Sequence, residues 1–143
     1  MERRLSAVLS ADVVGYSRLM GTNEVATLTS LNERRAEILE PAIATHSGRV
    51  VKLTGDGLLA EFGSVVSAVE AAAAIQRAMP MRNAEAPMDR WIQYRVGINL
   101  GDIIVDAGDV YGDGVNIAAR LEVLSEPGGI CVSAAVRDQV GDR

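Results

Sequence analysis

The apolar positions of this chain fall into short continuous runs and longer helical stripes, and each kind predicts an element. Leu5 to Val14 is apolar, β-branched in part and stopped at Gly15, as a buried strand would be. From Glu24 to Thr45, Leu28, Leu31, Arg35, Leu39 and Ala42 recur at helical spacing, with Thr22 or Asn23 as cap, Gly48 as stop and Pro41 as a kink or division. Arg49–Thr54 and Leu58–Phe62 are strand-like runs around Gly55-Asp56-Gly57, and an Asp-Gly pair in that setting predicts a hairpin. Ser64 to Met79, rich in alanine, predicts a helix ended by Pro80. Arg82 to Arg90 is a polar loop, and Trp91 to Val105 returns to strand patterning, interrupted at Gly97 and Gly101. Asp113 to Ser125 predicts a third helix, Ile130 to Val132 a final apolar run, and a short helix begins near Ser133. Strand, helix, hairpin, helix, strand is the βαββαβ order of an α+β, ferredoxin-like fold, with two helices on one face of an antiparallel sheet. The other face then needs a cover, which invites a partner subunit. With no internal repeat or linker, residues 1–143 read as one domain.

Composition narrows the class. Over 143 residues, 48% hydrophobic and 23% charged positions suit a globular domain rather than a disordered chain. Fourteen Lys and Arg against nineteen Asp and Glu leave a net charge of −5, so no broad cationic surface for nucleic acid or anionic membrane is encoded. An anionic substrate needs local cations or metals instead. Tyr16, Tyr94 and Tyr111 are too scattered to stack nucleic-acid bases. The lone Cys131, inside the apolar run Gly-Ile-Cys-Val, reads as a packed thiol in a reducing compartment. Ser6, Ser10 and Asp12 break the N-terminal apolar stretch and no run approaches membrane-spanning length, so the expected location is the cytoplasm. His46 follows a helix and precedes Ser47-Gly48, which suits the negative end of a helix dipole better than metal ligation.

Two constellations carry candidate chemistry. Asp12 ends an apolar strand and Asp56 sits in the hairpin turn; if the strand pairs beside the hairpin, their carboxylates converge into a site for hard divalent cations. A strand-end acid and an ordinary turn residue are the plainer alternatives. Gly15 permits close backbone approach, so that the amides after it could bind phosphate oxygens. In the second constellation, Asn116 and Arg120 lie four apart on one face of a helix behind a glycine-containing loop. Here the plainer alternative is a solvated arginine or a surface ion pair with Glu122 or in the neighbourhood of Glu126.

The segments Asp12-Val-Val-Gly-Tyr-Ser, Lys52-Leu-Thr-Gly-Asp56-Gly, Arg-Val-Gly-Ile-Asn-Leu-Gly and Tyr-Gly-Asp-Gly-Val-Asn116-Ile-Ala-Ala-Arg120, in that order, resemble the class III adenylate/guanylate cyclase catalytic domain from Leu5 to Val132. The resemblance implies a head-to-tail homodimer with two composite sites. Asp12 and Asp56 of one subunit would hold two Mg²⁺ ions, with Mn²⁺ as a substitute, and backbone from Gly15, Tyr16 and Ser17 would lie near the phosphates. Lys52 and Asp109 of the other subunit match the base-selecting pair, Asn116 the residue that orients the ribose, and Arg120 the one that stabilises charge on phosphate. The implied reaction converts ATP to 3′,5′-cyclic AMP and pyrophosphate. Lys52 can donate to adenine N1 and Asp109 can accept from the N6 amine, whereas guanine reverses both needs.

Three departures from the pattern stand out. The segment from Gly101 to Asp109 is short, as in a trimmed dimerisation arm; Asp102 stands where some members carry a basic residue; and the chain ends before the family's C-terminal strands and late phosphate-binding lysine. A piece that short is expected to be weakly active or inactive by itself. The rival reading is a non-catalytic nucleotide-binding or dimerisation module with the same fold. A diguanylate-type cyclase is disfavoured, because the hairpin turn is Thr-Gly-Asp-Gly.

Overall fold

The structure is a computed structural model that describes residues 1–141; Asp142 and Arg143, the last of the expected domain, lie outside it. Its centre is an antiparallel pair, β1 (Glu2–Val13) and β4 (Tyr94–Asp106), in register from Glu2↔Val105 to Val13↔Tyr94. On the other side of β1 lies β3 (Gly57–Phe62), and outside that β2 (Gly48–Leu53). The order β2-β3-β1-β4 is that of the expected ferredoxin-like βαββαβ core. Beyond β4, β5 (Asp109–Tyr111) pairs antiparallel with its C-terminal end and β6 (Ile130–Val132) parallel with residues 96–98.

Alternation along β1 separates two cores. Ala7, Leu9, Ala11 and Val13 join Leu19, Leu31, Leu39, Ile43, Ala68, Ala72 and Ile75 in the larger one. These helical residues belong to α1 (Tyr16–Thr22), α2 (Glu24–Arg34), a π-helical turn (Arg35–Leu39), α3 (Glu40–Thr45) and α4 (Val65–Asn83), and α6 (Ala134–Val140) adds Val136. The π turn answers Pro41: proline has no N–H and its ring crowds the carbonyl four residues back, so the preceding turn widens and Glu40 N–H bonds Arg35 O. His46 closes α3 as expected, with Nδ1 at 2.8 Å from Ala42 O.

On the opposite face Val8, Leu59, Ile103, Val110 and Ala118 form a smaller core. It is covered by this chain's own α5 (Asp113–Leu124) and β5, which corrects the expectation that a partner alone would cover that face. Gly97 and Gly101 do not interrupt β4, as their reading as breaks implied; they make room. A Cβ at Gly97 would lie 2.3 Å from Glu122 N and 2.4 Å from Ala118 O, and one at Gly101 would lie 3.2 Å from the Gly114 Cα. The strand passes under α5 because those positions carry no side chain.

Pro80 does not end α4 either, which runs on to Asn83. The buried Asn83 amide donates to Ile92 O (2.9 Å) and accepts from Ile92 N–H (3.0 Å), so a tertiary anchor holds the last turn against proline's local cost. Cys131 is half-buried in β6, less enclosed than a core thiol.

Candidate active site

Asp12 occupies the last turn of pleat in β1, opposite Gly57, and Val13 N–H donates to Asp56 O at 3.1 Å. Strand register therefore brings together two acids that are remote in sequence. Gly57 is required for it, since a Cβ there would lie 1.9 Å from Ala11 O. Burial first, then the Asp56 side chain and its charge, then the charge of Glu122, push the Asp12 carboxyl up to about 8. Its Oδ1 is buried and has no hydrogen-bond partner. A crowded carboxyl pair with an orphaned oxygen suits a hard divalent cation. Among the described residues, no group of three or more His, Cys, Asp or Glu could enclose one. Mg²⁺ needs only one or two carboxylates and completes its shell with water and substrate phosphates.

Sequence reasoning considered Glu122 only as a surface partner for Arg120. It is 8% exposed and points inward on α5, in line with Gly114 and Ala118. Burial, then the Asp56 charge, raise its carboxyl, while Arg95 and a hydrogen bond with Asp12 oppose the rise. Arg95 lies opposite Asp12 in the β1–β4 register and donates from Nε to Ser125 O at 3.0 Å. The signal for Glu122 was available: Gly114, Ala118 and Glu122 recur every fourth residue, the spacing of one helical stripe.

Asn116 and Arg120 lie on the outward side of α5 and are exposed. Among the described residues Arg120 forms no ion pair, so the surface pairing with Glu122 is not made. The first turn of α5 is pinned from below by Asn99, whose Nδ2 donates to Gly114 O at 3.1 Å.

Lys52 and Asp109 also meet, with Nζ at 3.6 Å from Oδ1, although they belong to strands at opposite ends of the sheet order. Two features bring them together. Val110 is buried in the smaller core beside Val8 and Leu59, which folds the β5 ribbon back over the sheet. An irregularity between Val50 and Lys52 shifts the register of β2, and a bulge of this kind re-aims a side chain. The Val110 N–H, bonded to Oδ1 at 2.8 Å, is the main reason the Asp109 carboxyl lies below the usual range; Lys52 and Tyr111 add to it, against a smaller effect of burial.

Gly15 takes the left-handed conformation (φ 67°) and starts α1, a helix absent from the sequence reading. The first N–H groups of a helix have no partners within it. Tyr16 packs against the larger core, and Ser17 is exposed. Asp102 is exposed and lines a shallow cleft with Arg3 and Asp113.

The cleft beside Asp56, walled by Arg35, Leu58 and Tyr94, holds only about 50 Å³. A nucleotide needs several times that volume. A larger cavity of about 400 Å³ between α4 and the segments that lead into β4 and β6, lined by Met79, Trp91 and Pro127, contains none of the candidate residues.

Comparison with known proteins gives the family. The family described as the adenylate and guanylate cyclase catalytic domain matches residues 4–141. "Putative adenylate cyclase 3" of Rhizobium meliloti (strain 1021) is 54% identical over 143 residues, covering 100% of this chain and 24% of that protein. An adenylate cyclase of Streptomyces coelicolor is 31% identical over 140 residues, covering 98% of this chain and 35% of its own length. The chain thus spans about a quarter to a third of these relatives. The crystal structure of an adenylate/guanylate cyclase/hydrolase from Silicibacter pomeroyi superposes with a TM-score of 0.90 at 50% identity, covering 100% of this chain and 83% of that one.

Proposed function

Because this chain belongs to the adenylate and guanylate cyclase catalytic-domain family, we propose that the protein is an adenylate cyclase that converts ATP to 3′,5′-cyclic AMP and pyrophosphate in a head-to-tail homodimer. The convergence of Asp12 and Asp56 at the β1–β3 register carries this reading. Two divalent ions, Mg²⁺ or Mn²⁺, held by these carboxylates would supply positive charge for the triphosphate and the attacking oxygen when bound.

The rest falls to the chain's own groups. In the reaction the ribose 3′-oxygen attacks the α-phosphorus, the bond to the pyrophosphate oxygen breaks, and the 3′-hydroxyl proton is lost. The backbone amides of Gly15, Tyr16 and Ser17 bind phosphate oxygens of the same subunit's site. From the partner, Asn116 orients the ribose and Arg120 stabilises charge that builds on the phosphates, which is most of what phosphoryl transfer asks of a protein. Lys52 donates to adenine N1 and Asp109 accepts from the N6 amine, which disfavours guanine.

Dimerisation is supported by two observations. The cleft at Asp56 is too small for a nucleotide, and the α5 surface bearing Asn116 and Arg120 also exposes Ile117, Val123 and Leu124, at 39%, 70% and 75%. No helix among the described residues is long and apolar enough to cross a membrane. A cytoplasmic location belongs to the proposal, since ATP is the proposed substrate.

The test is cyclic nucleotide production by the purified full-length protein with ATP or GTP, with and without divalent metal. Metal-dependent cyclic AMP formation, with kcat/KM for ATP about tenfold or more above GTP, is expected. A preference for GTP would overturn the base assignment. Nucleotide binding without turnover at any metal concentration would favour a non-catalytic module.

A further inference from the structure

Lys52 and Asp109 face a difficulty as a base-reading pair. Their side chains are 44% and 33% exposed, and a lysine and an aspartate this close can pair with each other, although an exposed pair gains little by it. A closed pair would satisfy itself instead of a purine edge. Here the ammonium stops at 3.6 Å from the carboxylate, and the third group against it is the ring of Tyr111, whose centroid lies 5.9 Å from Nζ. That separation is within the reach of a cation–π attraction.

Tyr111 is well placed to act as a fixed support. It lies two residues from Asp109 in a three-residue strand, so the two side chains leave the same side of the ribbon. Val110 between them is 2% exposed and fixed in the smaller core, and Tyr111 pairs with Ile104 in the β4–β5 register. The ring is 51% exposed, so packing within the chain does not account for it. Its hydroxyl is one of the smaller influences that keep the Asp109 carboxyl below the usual range, after the Val110 N–H and Lys52. The ring thus borders Lys52 and leaves the ribbon on the same side as Asp109.

We propose that Tyr111 is a positioning residue for base selection, its ring holding the Lys52 ammonium away from full contact with Asp109, so that both remain free to read adenine. This rests on the assignment of Lys52 and Asp109 as the base-selecting pair.

The test compares the full-length protein with its Tyr111→Phe and Tyr111→Leu variants. Steady-state kinetics with ATP and GTP are measured beside calorimetric binding of non-hydrolysable ATP and GTP analogues. With the ring kept, Tyr111→Phe leaves the ATP:GTP ratio of kcat/KM within about 2-fold of the parent. Tyr111→Leu lowers it by about 10-fold, chiefly through KM for ATP, and analogue affinities move in parallel. In a Lys52→Ala background, Tyr111→Leu has no further effect on the ratio. An unchanged ratio in Tyr111→Leu, or an equal loss for both nucleotides, overturns the role of Tyr111. If Lys52→Ala leaves the ratio of the parent protein unchanged, the base-pair assignment fails, and the Tyr111 role with it.

Discussion

Replacing Gly97 by alanine tests whether the contact between β4 and α5 is as close as the structure makes it. The new Cβ would lie 2.3 Å from Glu122 N and 2.4 Å from Ala118 O, against an ordinary contact of about 3.4 Å or more. Both neighbours are helix backbone, so relief requires α5 to lift by about 1 Å rather than a side chain to rotate. A gap of that size forfeits about a quarter to a half of the dispersion attraction across it. The interface affected is the smaller core, where Ala118 and Val115 of α5 meet Val8, Ile103 and Val110. Overpacking of this kind costs about 1–3 kcal/mol, and loosening of that core brings the expected loss to about 2–4 kcal/mol. For a chain of 143 residues this lowers Tm by about 6–15 °C, read by circular dichroism. Gly63→Ala, where an added Cβ meets nothing within 4 Å, is the control, with an expected change below about 0.5 kcal/mol. A Gly97→Ala protein melting within 2 °C of the parent would refute the close-contact reasoning.

Asp12→Asn is expected to stabilise the metal-free protein at high pH. The Asp12 carboxyl, raised by burial and by Asp56 from 3.8 to about 8, binds its proton more tightly folded than unfolded, so its contribution is full below about pH 4 and is lost as pH rises through 8. After allowance for partial exposure the variant gains about 1–3 kcal/mol at pH 9 in EDTA and nothing at pH 4; parallel pH profiles of Tm would show the inference wrong. Glu61 behaves oppositely: burial pushes its carboxyl up, but hydrogen bonds from Arg4 (2.8 and 3.0 Å) and Ser6 (3.0 Å) and the charges of Arg4 and Arg49 outweigh burial and hold it below 4.5. Glu61→Ala therefore costs about 1–3 kcal/mol at pH 7 by denaturant titration, because the arginines it leaves behind are partly solvated, and the difference shrinks as pH falls below 4.5, where the unfolded carboxylate takes up its proton, and vanishes once the native one does too. Asn83→Ala orphans the N–H and C=O of Ile92 and is expected to cost about 2–4 kcal/mol, with hydrogen exchange quickening first at Ile92; unchanged exchange there would count against the anchor.

The convergence of Asp12 and Asp56 could be anticipated because each signal was local: a strand ending in an acid, and an Asp-Gly hairpin whose register a short turn fixes. The outward face of α5 followed from four-residue spacing in the same way. What escaped depended on partners distant in sequence. A missing side chain at Gly97 looks the same in sequence whether it breaks a strand or lets a helix sit on one. Pro80 reads as a stop unless the Asn83–Ile92 amide exchange is known. The short β5 ribbon has no turn signal strong enough to show that Val110 folds back over the sheet, so the meeting of Lys52 with Asp109 rested on resemblance alone. Glu122 was misassigned because a glutamate beside an arginine suggests a surface pair, whereas its stripe with Ala118 leads inward.

Helix α5 keeps one edge against its own Asp12 and leaves the other, with Asn116 and Arg120, exposed. Under head-to-tail pairing, the polypeptide therefore behaves genetically as two complementing halves. A protein crippled at Asp12 and one crippled at Arg120, each inert alone, would regain one working centre per pair when mixed. A lesion at Gly97 disturbs both halves together, so no mixture of the two could rescue it.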